Sequence, residues 1–246
     1  MSKSKRSEIK QRRVQRRQKE RQMIFLVVAG VVLLLVAIIV GSSVIQQNQP
    51  IASITPITPI ERPNPQGTAM GNPDAPVRID VFEDFQCPAC QFFTQNVEIQ
   101  VMNELVATGQ VYYVFRHYPF LDDASATKES DQAANASLCA ADQGRFWDYH
   151  DLLYVNWNGE NEGSFNNRRL VAFAEELNLD IDAFNDCFKA NTFKAQINQD
   201  IQDAIRMGIS GTPSVFVNGK IITPSQVPSF EEIKAAVEIA LASAGK

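Results

Sequence analysis

PVRIDVFEDFQCPACQFF, residues 76–93, carries a strand into a helix and sets two cysteines at the joint. Val77–Phe85 alternates and is rich in Val, Ile and Phe, the pattern of a half-buried strand. From Cys87 to about Ala107 the apolar positions Phe92, Phe93, Val97, Val101 and Leu105 recur at helical spacing. Val111–His117 (VYYVFRH) reads as a second strand. Strand, helix, strand in that order is a βαβ unit with parallel strands.

Downstream, residues 124–207 read as helices only, with segments at 126–142, 145–156, 167–178, 181–190 and 193–207. Pro213–Val217, the Asn218-Gly219 turn and Lys220–Thr223 then form a hairpin, since Asn-Gly between apolar runs is a strong hairpin signal. Phe230–Ala244 closes as a helix with Ile233, Val237 and Leu241 on one stripe. The order β-α-β, a helical block, then β-β-α predicts a three-layer α/β core with a helical insertion at about 124–208.

Cys87-Pro-Ala-Cys90 carries the chemistry. Positions three apart on a helix share a face, so the two sulfurs can bond. Pro88 falls where a helix tolerates it. Unpaired amides and the positive dipole end at a helix start stabilise a thiolate at Cys87. A thiolate, not a thiol, attacks a disulfide. Cys90, one turn inside, is the candidate resolving thiol. A zinc half-site would need a second pair of ligands. The other cysteines, Cys139 and Cys187, are isolated, and the only histidines are His117 and His150. An inert disulfide is the other bland reading.

Composition bounds the rest. A chain of 246 residues, 45% of them hydrophobic, makes one or two domains with a real core. Residues 1–22 hold ten Lys/Arg and two Glu, so the remainder carries a net charge of -13. Such an acidic body argues against nucleic acid as a partner. Met23–Ile45 contains no charged residue and is long enough for a transmembrane helix. A signal peptide cut near Gly41–Ser43 is the alternative, disfavoured by the length of the apolar run. The basic tail predicts a cytoplasmic N-terminus and an extracytoplasmic body. Residues 46–76, with seven prolines, read as a semi-rigid linker, leaving 77–246 as the body. No nucleotide-binding loop is present, and neither a metal nor a cofactor is expected.

The stretches 76–93, QGRFWDYHDLLY (143–154) and ISGTPSVFVNGK (209–220) resemble the thioredoxin superfamily, and within it the DsbA-like branch. The resemblance spans about 75–244. It implies a thioredoxin-like fold with a helical insertion, and a cis peptide at Thr212-Pro213 facing the Cys pair, in a loop that binds a substrate strand. Members often carry a buried Glu six residues before the first Cys. Here that position is Val81, leaving Asp80, Glu83, Asp84 or water to handle the Cys90 proton. The His found between the cysteines of the strongest oxidants is absent, which predicts a milder oxidant.

An oxidising compartment and an even cysteine count predict a structural disulfide Cys139–Cys187. Two reduced thiols or a second redox relay are the alternatives. His117, His150, Trp147 and Trp157 are expected to pack rather than catalyse. The function expected is that of a membrane-anchored oxidoreductase forming disulfides in exported Cys-containing proteins. The resemblance implies a DsbB- or VKOR-like membrane partner that reoxidises the pair. A reductase or isomerase fed by a membrane donor is the alternative in the same chemistry. A non-catalytic thioredoxin-fold binding module is the alternative of another class.

Overall fold

The computed structural model describes residues 23, 25, 28, 30–38, 51–122, 127–224 and 226–244. The chain divides into two units, Met1–Ile51 and Ala52–Lys246. The first contributes a helical stretch over 30–38 with exposed apolar side chains. The basic tail, much of the 23–45 segment and the start of the linker lie outside the described residues. Among the described residues, no helix is long and apolar enough to cross a membrane.

The second unit is built on a five-stranded sheet. Its strands are β1 (Ala69–Met70), β2 (Val77–Glu83), β3 (Val111–His117), β4 (Ser214–Val217) and β5 (Lys220–Ile221), in spatial order β1-β3-β2-β4-β5. β2 and β3 run parallel, from Val77 opposite Val111 to Glu83 opposite His117. The other pairings are antiparallel. The β4–β5 turn has positive φ at Asn218 and Gly219, as the Asn-Gly pair predicts.

Helix α1 (88–106) crosses from β2 to β3. It includes two π-type stretches, Thr94–Glu98 and Met102–Val106. After β3 come α2 (Glu129–Asp142), α3 (Phe146–Val155), α4 (Asn167–Glu176), α5 (Ile181–Ala190) and α6 (Lys194–Arg206), and α7 (Phe230–Ala244) ends the chain. Strand alternation divides the apolar residues between two faces. Ile79, Val81, Val215 and Val217 join the main core with α1 and with Ile233 and Val237 of α7. Phe82 and Phe216 face the other way and pack on Ala204 of α6. The sheet is thus the middle layer of three. Arg116 of β3 ties α6 to this second face through Asp200 (2.6 Å) and Asp203 (2.5 Å). The last helix of the helical segment thus covers the second face of the sheet.

Two expectations need correction. Phe92, counted among the apolar positions at helical spacing in α1, does not share their burial: it is exposed, while Phe93 is fully buried. The proline-rich stretch is not all spacer. Ile54 and Ile57 pack against the core, and Thr55 exchanges two backbone–side-chain hydrogen bonds with Asn156 at the end of α3 (2.8 and 2.9 Å). Arg62 is buried between Glu98 and Asp151, at 2.7 Å from each, with its guanidinium over Trp147. Prolines restrict backbone conformation without preventing apolar neighbours from packing.

Cys139 of α2 and Cys187 of α5 form a disulfide, joining the two helices across 48 residues of chain.

Candidate active site

Cys87 caps the start of α1 with extended backbone, and Pro88 opens the helix. The turn before it is fixed by Asp84. Its carbonyl accepts the Cys87 amide (3.0 Å), and its carboxylate accepts the Gln86 amide (2.8 Å), the Leu121 amide (3.1 Å) and the Ser130 hydroxyl (2.7 Å). The side chain of Gln86 donates to Ser130 (2.8 Å) and accepts the Asn161 amide (2.6 Å). The cysteine turn is thus bolted to the helical segment at several points. Sequence reading missed this network, because its partners are 30 to 75 residues apart with no local signal.

Both Cys87 and Cys90 are free thiols. Both are buried, Cys90 completely, but their acidities are shifted in opposite directions. Hydrogen bonding from the Cys90 thiol, against the opposing effect of burial, lowers the Cys87 pKa to about 6. The amides of Ala89 and Cys90 add to this, as a helix start should. Cys90 is fully buried, and burial first, then its bond to Cys87 and the charge of Glu83, push its pKa well up. One sulfur is therefore ionised near neutral pH and the other holds its proton.

The Thr212-Pro213 peptide is cis, and its loop faces the pair. The Cys87 thiol donates to the Thr212 carbonyl at 3.3 Å. The Thr212 hydroxyl is buried without a hydrogen-bond partner, and hydrogen bonding from Thr212 is a further influence that lowers the Cys87 pKa.

The structure sorts the acidic candidates near Cys90. Val81 lies in the core. Asp80 faces the opposite side of the sheet, paired with Arg78 and Arg116. Asp84 is buried, and burial raises its pKa to about 7, but its neighbours are the loop groups rather than the sulfurs. Glu83 is the acid whose charge is felt by Cys90. Its own pKa is pushed well up by burial and then by the charge of Glu98. Its Oε2 accepts from the Tyr154 hydroxyl (2.9 Å) and the Thr94 hydroxyl (3.5 Å), while its Oε1 is buried without a partner. Tyr154 closes the 143–154 stretch that carries the family resemblance, but neither it nor Thr94 was marked by the sequence as a site residue.

His117 and His150 are buried in an aromatic cluster with Phe85, Phe115 and Phe146. Burial lowers His117 to a pKa of about 3, so it is neutral. Trp147 is buried and donates to the Ala69 carbonyl, and Trp157 packs half-buried against the core. Among the described residues, no cluster of His, Cys, Asp or Glu could hold a metal ion.

An acidic thiol at a helix start, a buried thiol one turn on and a facing cis-proline loop, all on a thioredoxin-like sheet, define a thiol–disulfide oxidoreductase. The family model described as thioredoxin matches residues 63–238, and the chain belongs to that family. A probable disulfide bond formation protein D of Bacillus cereus is 28% identical over 174 residues, which are 69% of this chain and 76% of that protein. A Na(+)/H(+) antiporter NhaA 3 of Salinispora tropica is 35% identical over 174 residues, but the match covers only 24% of that longer protein. Among solved structures, oxidised BdbD from Bacillus subtilis superposes with a TM-score of 0.64 at 24% identity, covering 76% of this chain and all of that one. A thioredoxin-like oxidoreductase from Silicibacter pomeroyi superposes with a TM-score of 0.59 at 27% identity, covering 72% and 94%.

Proposed function

We propose that Cys87 and Cys90 form a redox-active pair that introduces disulfides into exported proteins, in a body tethered outside the cytoplasmic membrane by residues 23–45. The observation that carries the chemistry is the asymmetry of the pair, one thiol acidic and the other fully buried. In the oxidised enzyme a substrate thiolate attacks Cys87 Sγ. The Cys87–Cys90 bond breaks, and Cys90 leaves with the electron pair and takes up a proton, for which Glu83 is the donor. A second substrate thiolate then attacks the substrate sulfur of the mixed disulfide and releases Cys87 as a thiolate. Two substrate thiols have become a disulfide, and the enzyme holds two electrons.

A membrane oxidant similar to DsbB or VKOR would remove those electrons. The Thr212–Pro213 loop beside Cys87 offers backbone groups for an extended substrate strand. The relatives named for disulfide bond formation favour this direction over a reductase or isomerase. The charge-free segment at 23–45 and the basic tail before it support the tether and its orientation.

The test is oxidative refolding of a reduced Cys-containing protein by the oxidised full chain. Disulfide formation should occur at the expense of the Cys87–Cys90 bond and vanish in Cys87→Ser. A protein found predominantly reduced in its own cells by thiol alkylation would instead support the reductase direction. A Cys87→Ser variant with undiminished activity would leave only a binding module.

A further inference from the structure

A cavity of about 260 Å³ lies beside α1 and α3, and its outer wall comes from the chain segment ahead of β1. Ile57 and Ile60 of that segment line it together with Ile99 of α1 and Val155 of α3. Two further wall residues are Thr94 and Tyr154. These are the two residues whose hydroxyls reach Glu83 Oε2, at 3.5 and 2.9 Å. Glu83 is otherwise sealed, with its other oxygen buried and unpartnered. Cys90 is fully buried as well, so its proton has no direct way to bulk water. A volume of this size holds several waters, and its lining includes Thr94 and Tyr154, whose hydroxyls bond the Glu83 carboxyl.

We infer that this cavity is the port through which the Cys90 proton exchanges with solvent, with Glu83 as carrier, Thr94 and Tyr154 as the hydroxyl link, and the 52–62 strap as its outer wall. The inference rests on the reading of Cys87 and Cys90 as a redox pair. When Cys90 attacks a mixed disulfide at Cys87, its S–H proton passes to the Glu83 carboxylate. The Cys87–Cys90 bond forms, and the departing sulfur leaves with the electron pair of the broken bond and is protonated by bulk solvent. Glu83 then passes its proton through the hydroxyl link to water in the cavity, a step in which no electron moves. The strap is held on α3 by the paired Thr55–Asn156 hydrogen bonds and by Arg62. Its position ties the segment leading from the N-terminal unit to the proton traffic of the active site.

The test is stopped-flow reaction of the reduced full chain with dithiobis(nitrobenzoate), which releases one chromophore as Cys87 attacks and a second as Cys90 resolves the mixed disulfide. The readout is the ratio of second-phase to first-phase rate. Thr94→Val and Tyr154→Phe should each lower that ratio about tenfold, less than the roughly 10²–10⁴ that an entire general base contributes, because Glu83 remains. Thr94→Ser should restore it, which a purely structural role for the methyl group would not require. Val155→Phe, placed at the half-exposed rim, should lower the ratio by filling the cavity while touching no hydroxyl. An unchanged ratio in Thr94→Val, or a Thr94→Ser as slow as Thr94→Val, overturns the port; if Val155→Phe does not fold, the two Thr94 variants decide. A wild-type first phase no faster than an ordinary free thiol would instead remove the redox reading beneath it, and the port with it.

Discussion

Replacing Cys90 by Ala removes the donor that contributes most to the acidity of Cys87. A hydrogen bond to a charged group is worth about 1.5–3 kcal/mol. Since each pKa step corresponds to about 1.36 kcal/mol, the Cys87 pKa should rise by about one to two. It starts at about 6 and should stop short of the ordinary 9.0, because the amides of Ala89 and Cys90 still point at the sulfur. Cys90→Ser keeps a hydroxyl donor and should stay closer to wild type. The assay is the pH dependence of iodoacetamide alkylation of the reduced variants. The same acidity has a thermodynamic face. A thiol whose folded pKa is lowered stabilises the folded reduced protein, fully above the unfolded value of 9.0, and that stability is lost as pH falls through about 6. The reasoning is refuted if Cys90→Ala titrates with wild type. It is equally refuted if the pKa returns all the way to 9.0, which would mean that the helix start contributes nothing.

Three further outcomes are expected. Arg62→Ala strands the buried carboxylates Glu98 and Asp151 and should cost about 3–5 kcal/mol in urea unfolding. Cys139→Ser with Cys187→Ser opens a 48-residue loop and should cost roughly 4 kcal/mol by the same measurement, while leaving the alkylation profile of Cys87 unchanged. Glu83→Gln removes the carrier and should slow chromophore release by Cys90 on the order of 10²-fold. Because burial raises Glu83, the wild type loses stability as pH climbs above 4.5, so the Gln variant should gain on it over that range in paired denaturation curves.

What the sequence disclosed was local chemistry. The strand-to-helix joint, the spacing of Cys87 and Cys90, and the Asn218-Gly219 turn are each specified within a few residues, and each is found where the pattern places it. Alternation along β2 separated the two faces of the sheet, yet it could not choose among Asp80, Glu83 and Asp84. That choice depends on Tyr154 and Thr94 lying next to one carboxyl and Arg78 and Arg116 next to another. The strap was hidden by composition. Its prolines read as spacer, whereas Ile54 and Ile57 pack on the core and Thr55 and Arg62 find partners 101 and 89 residues away. The loop network of Asp84, Gln86, Ser130 and Asn161 was equally out of reach, since its polar residues mark nothing until the helices are packed.

The measurement that bears most directly on the account is the reduction potential of Cys87–Cys90, obtained by equilibrating the full chain with glutathione redox buffers. Thioredoxin and DsbA, with nucleophile pKa values of about 7 and about 3.5, have potentials of about −270 and about −120 mV. A thiolate with a pKa of about 6 should place this pair between them. A potential at or above about −120 mV would contradict the milder poise expected from the Pro88-Ala89 dipeptide. A pair that fails to titrate with glutathione at all would contradict the redox site itself.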